Sequence, residues 1–117
     1  MNSERKLATI LATDCVNFSK HMEENEELTL TNLNECRKII DDVIAEFGGK
    51  IFSTAGDSVV AEFPSPVQCV KAAIEFQDKL YERNEHSLTK LKLSWRVGIH
   101  VDDVIVENNN IMGSGVN

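Results

Sequence analysis

The spacing of apolar and polar residues in the first half of the chain predicts a strand and then helices. Leu7–Thr13 is short, apolar and partly β-branched, which is typical of a buried strand. A short helical piece is predicted over Phe18–Glu23. From Leu28 to Phe47, apolar residues recur every three or four positions, which predicts a long amphipathic helix. The pair Gly48-Gly49 follows, and glycine permits the left-handed conformation that ends many helices.

The middle of the chain predicts a pair of strands and a second long helix. Lys50–Thr54 and Ser58–Phe63 are strand-like runs around Ala55-Gly56-Asp57, most simply an antiparallel hairpin. Ser65-Pro66 favours a helix start, because serine caps the first turn and proline is tolerated there. This helix is predicted to fade by Asn84, and its apolar residues on one face are Val67, Val70, Ile74 and Tyr81.

The last third of the chain predicts two more strands. Apolar and polar residues alternate from Leu91 to Ile99, which indicates a half-buried strand, and Val104–Val106 is a further strand. The complete order is strand, helix, strand, strand, helix, strand and one more strand. That order predicts an α+β fold of the ferredoxin-like βαββαβ type, with an antiparallel sheet and its helices on one face. The first and third strands should lie side by side at the centre.

Composition narrows the class of protein. A length of 117 residues predicts a single domain over 1–117, and 42% hydrophobic with 26% charged residues is ordinary for a soluble globular protein. The net charge of −7 argues against a nucleic-acid partner, because phosphate backbones select basic surfaces. The sequence has no apolar stretch long enough to span a bilayer, and its cysteines (Cys15, Cys36, Cys69) form no CxxC pair. We therefore expect a cytoplasmic domain without membrane contact.

Asp14 and Asp57 are the candidate functional residues that stand out, because each lies at a turn beside a strand-like apolar run. The predicted topology brings both to one rim of the sheet. Two carboxylates at that rim repel each other unless a cation holds them ionised, which predicts a shared divalent metal site. The simpler interpretation is that each aspartate bonds its own backbone in a turn.

Six motifs that follow one another in order bear on the choice between a metal site and two separate turn aspartates. The chain resembles the catalytic domain of class III adenylyl and guanylyl cyclases, especially the bacterial branch, from about Arg5 to its last residue. The motifs that carry the resemblance are Ala12-Thr-Asp-Cys-Val-Asn-Phe-Ser19, Thr54-Ala-Gly-Asp57, Val60-Ala-Glu-Phe-Pro64, Val97-Gly-Ile-His100, Asp103-Val-Ile-Val106 and Ile111-Met-Gly-Ser-Gly-Val-Asn117. Several motifs in order are more specific than any one of them.

The resemblance implies a site shared between two head-to-tail protomers. One protomer would bind two ions of Mg²⁺ or Mn²⁺ through Asp14, Asp57 and the backbone carbonyl of Cys15. The N–H groups of a turn after Asp14 would face the triphosphate of ATP or GTP. The reaction implied is metal-assisted in-line displacement, which forms a 3′,5′-cyclic monophosphate and releases pyrophosphate. The turn residues are Val16, Asn17, Phe18 and Ser19.

The partner protomer would read the base and orient the ribose. Asn117 matches the ribose-orienting asparagine, and Ser53 and Asn110 fall on the two base-reading positions. Those two positions carry a lysine and an acid in adenine-specific members, and guanine-type members have glutamate at the first of them. Neither purine pattern is therefore met. Asn17 replaces a glycine of the phosphate turn, and Asp102 stands where glycine is common. The family's transition-state arginine, last helix and last strands would follow Asn117, so the chain is expected to be weak or inactive by itself.

Two functions remain open from the sequence. The first is a nucleotidyl cyclase domain, most simply one that forms cAMP from ATP as a homodimer in cyclic-nucleotide signalling. The second is a cyclase-like regulatory module that binds nucleotide or self-associates without chemistry, which Ser53, Asn110 and Asn17 favour. A dinucleotide cyclase on the same palm-like fold lacks support, because the chain has no Gly-Gly-Asp/Glu-Glu-Phe signature.

Overall fold

The computed structural model describes residues 3–107 and 110–112. The described elements are a first strand, two helices, a strand hairpin, a third helix and two more strands. In chain order they are β1 (Ser3–Cys15), α1 (Phe18–Glu24), α2 (Glu26–Glu46), β2 (Lys50–Ala55), β3 (Ser58–Phe63), α3 (Pro66–His86), β4 (Trp95–Glu107) and β5 (Asn110–Met112). No helix among these described residues is both long and apolar enough to cross a membrane.

Across the described residues, the strands form one antiparallel sheet in the order β2-β3-β1-β4-β5. The first four strands and the two long helices have the ferredoxin-like arrangement that the element order predicts. The prediction that the first and third strands are neighbours is confirmed, because β1 lies at the centre and pairs with β3 from Thr9 to Thr13. The hairpin turn between β2 and β3 therefore reaches the end of β1.

The main core lies between the sheet and helices α2 and α3. Alternate residues of β1, including Leu11 and Cys15, point toward the helices and are buried, together with Val59 and Ala61 of β3. The opposite face of the sheet carries a smaller cluster around Ile10. The helices therefore lie on one face, as predicted, and the side chain of Asp14 alternates to the other face.

Side-chain caps and one glycine set the ends of the long helices. Asn25 accepts a hydrogen bond from the N–H of Leu28 at the start of α2, and Ser65 accepts one from Gln68 at the start of α3. Gly48 ends α2 with a φ of 80°, the left-handed conformation expected there. The Ser65 cap and the Gly48 turn agree with the sequence prediction because they depend on short-range interactions, whereas α2 starts earlier than the predicted Leu28.

The strand predicted from Leu91 to Ile99 has different limits in the structure. Strand β4 begins at Trp95 and continues without a break to Glu107, so it also contains the segment predicted as a separate strand. The start has a physical reason, since Trp95 pairs with Cys15 and β1 ends at Cys15. Residues 91–94 therefore have no strand partner, and Leu93 is buried with its carbonyl bonded to the side chain of Asn84.

The apolar residues predicted on one face of α3 are not the ones that pack against the core. These four residues do lie on one side, but that side is exposed, with Tyr81 at 68% and Val67 at 60%. The buried face consists of smaller side chains and one aromatic ring: Cys69, Ala72, Ala73, Phe76 and Leu80. Small residues allow α3 to approach α2 and the sheet closely, so they form the packed face although they are less apolar.

Candidate active site

Asp14 lies one residue before the end of β1, at the rim of the sheet. It is directly opposite Arg96 in the β1–β4 ladder, and the Nε of Arg96 donates to Asp14 Oδ1 at 2.8 Å. This hydrogen bond and the negative charge of Asp14 raise the pKa of Arg96. The arginine therefore stays charged beside the aspartate.

Asp57 reaches the same rim from the turn between β2 and β3. Gly56 precedes it with a φ of 57°, which closes the turn and directs Asp57 back toward β1. The backbone N–H of Cys15 donates to Asp57 Oδ2 at 2.9 Å. Because Cys15 follows Asp14, this hydrogen bond holds the two carboxylates at one end of the central strand.

The side chain of Cys15 lies in the core, whereas its backbone N–H contacts Asp57 beside the cavity. The residue is buried among core side chains, and burial, followed by the charge of Asp57, raises the pKa of the Cys15 thiol to about 12. The thiol is therefore neutral at ordinary pH and is a poor metal ligand, because metals bind the thiolate. The N–H of Cys15 is bonded to Asp57, and the Cys15 carbonyl oxygen remains a predicted metal ligand.

The turn after β1 differs in one detail from the expected phosphate turn. The N–H of Val16 donates to the carbonyl of Ser94 at 2.8 Å, so it is engaged within the protein. Asn17 has a φ of 56° and adopts the left-handed conformation, which asparagine tolerates better than most residues. The expected N–H donors of the turn are therefore reduced to those of Asn17, Phe18 and Ser19.

These groups line one open cavity of about 470 Å³. It combines two carboxylates with two cationic side chains, those of Lys20 and Arg96. Its lining residues are Asp14, Cys15, Asn17, Phe18, Ser19, Lys20, Asp57 and Arg96. Within the described part of the chain, no cluster of three or more His, Cys, Asp or Glu side chains could by itself hold a metal. Two carboxylates with a carbonyl nevertheless fit Mg²⁺, which usually keeps several waters and binds substrate phosphates.

Residues 2–112 match the family described as the adenylate and guanylate cyclase catalytic domain. The match covers nearly the whole chain and contains both aspartates of the cavity. The chain belongs to this family. The resemblance inferred from the ordered motifs is confirmed, and with it the ferredoxin-like fold of the cyclase domains.

Similar proteins agree with this membership. "Putative adenylate cyclase 3" of Rhizobium meliloti (strain 1021) is 33% identical over 114 residues, covering 97% of this chain but 19% of that protein. An adenylate/guanylate cyclase/hydrolase of Silicibacter pomeroyi has a solved structure at TM-score 0.88 and 36% identity, covering 99% of this chain and 68% of that one. The guanylyl cyclase Cya2 matches at TM-score 0.86 and 27% identity over the same shares. These proteins share the catalytic-domain fold across almost all of this chain.

Three further positions were expected from the sequence to contact the base or the ribose, and the structure describes the side chain of one of them. Ser53 is exposed on β2, pairs with Val60 and does not line the cavity. The backbone of Asn110 pairs with Glu107 in the β4–β5 ladder, and its side chain lies outside the described part. Asn117 lies outside the described residues. The metal candidates and three of the four phosphate-turn candidates thus line one cavity, whereas Ser53, the base candidate whose side chain the structure describes, does not.

Sequence reasoning missed Arg96 and Lys20. Arg96 occupies a polar position in the alternating run that contains Trp95 and Val97, and that alternation signals a sheet surface without identifying the partner. Lys20 follows the expected phosphate turn directly, so its closeness in sequence to that turn was an available signal. The contact between Arg96 and Asp14 depends on strand register, which the local sequence does not contain.

Proposed function

We propose that this chain supplies the metal- and phosphate-binding half of a nucleotidyl cyclase site. The reaction proposed is attack of the ribose 3′-oxygen on the α-phosphorus of a purine nucleoside triphosphate, most simply ATP. The bond between the α-phosphorus and the oxygen that bridges it to the β-phosphorus breaks. The 3′,5′-cyclic monophosphate forms, and pyrophosphate leaves. The observation that carries the proposal is the hydrogen bond between Cys15 and Asp57, which joins both carboxylates to one cavity.

Each residue of the cavity has a separate task in this proposal. Asp14, Asp57 and the carbonyl of Cys15 would hold Mg²⁺ or Mn²⁺. When bound, the metal supplies positive charge that favours loss of the 3′-hydroxyl proton and offsets phosphate charge. Asn17, Phe18, Ser19 and Lys20 line the same cavity. The N–H groups of the first three and the ammonium of Lys20 would bind the polyphosphate.

The other half of the site is proposed to come from a second protomer. Its Ser53 and Asn110 would face the base, and its Asn117 would orient the ribose. The exposure of Ser53, away from the metal cavity of its own protomer, is compatible with a role across an interface. Both base-facing side chains are uncharged hydrogen-bonding groups, so discrimination between ATP and GTP is expected to be weak.

The test uses the full-length protein incubated with ATP or GTP and Mn²⁺, with cyclic product measured by chromatography. We expect cyclic product from the wild type and a loss of about 100-fold or more in Asp57→Ala, since a preorganised charge is removed. Asp78→Ala is the matched control, because Asp78 is an exposed aspartate on α3. Absence of product from both nucleotides, with Mn²⁺ binding intact, would contradict the cyclase proposal.

A non-catalytic module is the second candidate, and one observation favours it. Ser53 is exposed and carries no charge where the family has a base-reading residue, so nucleotide could bind without being positioned for reaction. Calorimetry with Mn²⁺ and a non-hydrolysable triphosphate separates the two functions. Binding without turnover in the full-length protein supports the module, and turnover rejects it.

A further inference from the structure

The ion pair between Arg96 and Asp14 involves a carboxylate that the proposed function assigns to a metal. Arg96 Nε lies 2.8 Å from Asp14 Oδ1, within the range of a charge-assisted hydrogen bond. The positive charge of Arg96 also acts on Asp57, the second carboxylate of the cavity. A protein cation therefore contacts one oxygen of a carboxylate that is proposed to bind the divalent cation.

Hydrogen bonds from two elements hold the backbone at Arg96, which keeps the residue within reach of Asp14. The hydroxyl of Thr13 donates to the Arg96 carbonyl at 2.7 Å, and the amide of Gln77 donates to the Trp95 carbonyl at 2.8 Å. One bond comes from β1 and the other from α3, so the start of β4 is held from two sides. Arg96 is thereby kept directly opposite Asp14 in the ladder.

The guanidinium can leave Asp14 by moving but not by losing its proton. Arginine remains protonated in proteins, and the bond to Asp14 raises the pKa of Arg96 further. The Arg96 side chain is 69% exposed, whereas that of Asp14 is 38% exposed. An exposed side chain can turn into water at little cost, and exposed ion pairs are weak. The contact is therefore reversible.

We propose that Arg96 is a built-in counterion of Asp14, which keeps the two carboxylates together without metal and must leave Asp14 when a divalent cation binds. This inference rests on the proposed metal role of Asp14 and Asp57. It assigns Arg96 as a positioning residue that sets the metal affinity of the cavity. The competition has two parts: the guanidinium occupies one oxygen of Asp14, and its charge repels the incoming cation.

The expected effect is moderate because the pair is exposed to solvent. Removing the competing charge should tighten Mn²⁺ binding without nucleotide by about threefold to tenfold at low ionic strength, given the weakness of exposed pairs. The gain should shrink in 0.5 M salt, which screens charges beyond a few ångströms. A structural ion pair unrelated to the metal would give no such gain.

The first experiment measures Mn²⁺ binding by electron paramagnetic resonance on the full chain without nucleotide. Arg96→Gln is expected to bind more tightly than wild type, and Arg96→Lys, which keeps the charge, is expected to gain less. Adding Asp14→Asn to Arg96→Gln should abolish the gain. Arg37→Gln is the control, because it removes the same charge from an ion pair with Asp41 on α2 that does not line the cavity.

The second experiment observes the wild-type guanidinium directly and uses a substitution only to assign its resonance. The Nε–H resonance of Arg96, assigned by comparison with Arg96→Lys, is followed by nuclear magnetic resonance while Mg²⁺ is added. Release of the guanidinium predicts a saturable shift and faster exchange with water. A resonance that stays unchanged while Mg²⁺ binds would overturn the proposal.

The outcomes separate this inference from the proposed function. Mn²⁺ binding that depends on Asp14 but is equal or weaker in Arg96→Gln would overturn the counterion role and leave the metal site standing. Binding that is independent of Asp14 in every variant would overturn the metal assignment, and the counterion role with it. Tighter binding in Arg96→Gln, absent in the Arg37→Gln control, supports both.

Discussion

Asp57 has two separable tasks, a structural one and a metal-binding one, and two substitutions distinguish them. Its Oδ2 accepts the N–H of Cys15 at 2.9 Å, and its negative charge is proposed to hold a divalent cation. Asp57→Asn keeps an oxygen acceptor but removes the charge. Asp57→Ala removes both. The pair of variants therefore isolates the hydrogen bond from the charge.

The magnitude follows from the burial of the donor. Cys15 is 2% exposed, so in Asp57→Ala its N–H loses an acceptor in a mostly buried place, which costs about 1–3 kcal/mol. The adjoining cavity is open and admits water, which can partly replace the lost acceptor. We therefore expect the free energy of unfolding to fall by about 1–2 kcal/mol in Asp57→Ala and by under about 1 kcal/mol in Asp57→Asn. Mn²⁺ binding should be lost about equally in both variants, because both lack the carboxylate.

The assay combines urea unfolding with Mn²⁺ titration of the same samples. Trp95 is the single tryptophan and is 6% exposed, so its fluorescence reports unfolding. An equal loss of stability in Asp57→Asn and Asp57→Ala would refute the role of the hydrogen bond. Undiminished Mn²⁺ binding in Asp57→Asn would refute the role of the charge.

Three further predictions concern packing and the buried thiols. Gly49→Ala should lower the free energy of unfolding by about 1–3 kcal/mol in urea denaturation, because a Cβ there would lie 2.7 Å from two core side chains. Ile74→Gln on the exposed face of α3 should change the free energy of unfolding by under about 0.5 kcal/mol. Phe76→Ala on the buried face should lower it by about 3–5 kcal/mol. Equal losses in the two variants would contradict the assignment of the faces. Burial raises the thiol pKa of Cys15 to about 12 and of Cys69 to about 11. The buried neutral thiols therefore contribute their full stabilisation at pH values below the ordinary cysteine pKa of 9.0. The free energy of unfolding in urea should fall progressively as the pH rises from 9.0 toward 12. The fall should be less steep when both cysteines are replaced by alanine.

The sequence predicted the elements whose signals are local. The cap at Ser65 and the turn at Gly48 act within a few residues, so the structure has them at the expected positions. The order of elements also restricted the sheet to an antiparallel ferredoxin-like arrangement, in which the ends of the first strand and of the hairpin meet. The nearness of Asp14 and Asp57 could therefore be expected before their contact through Cys15 was known.

The sequence by itself determined the family, the order of strands and helices and the two carboxylates, because motifs and periodicity are written along the chain. The tertiary structure decided four things that depend on distant partners. Strand register placed Arg96 against Asp14, and the end of β1 fixed where β4 begins. The Ser94 carbonyl occupied the N–H of Val16. Close packing buried the small-residue face of α3 and left its more apolar face exposed, since a helix with two apolar stripes does not indicate which one its neighbours will cover.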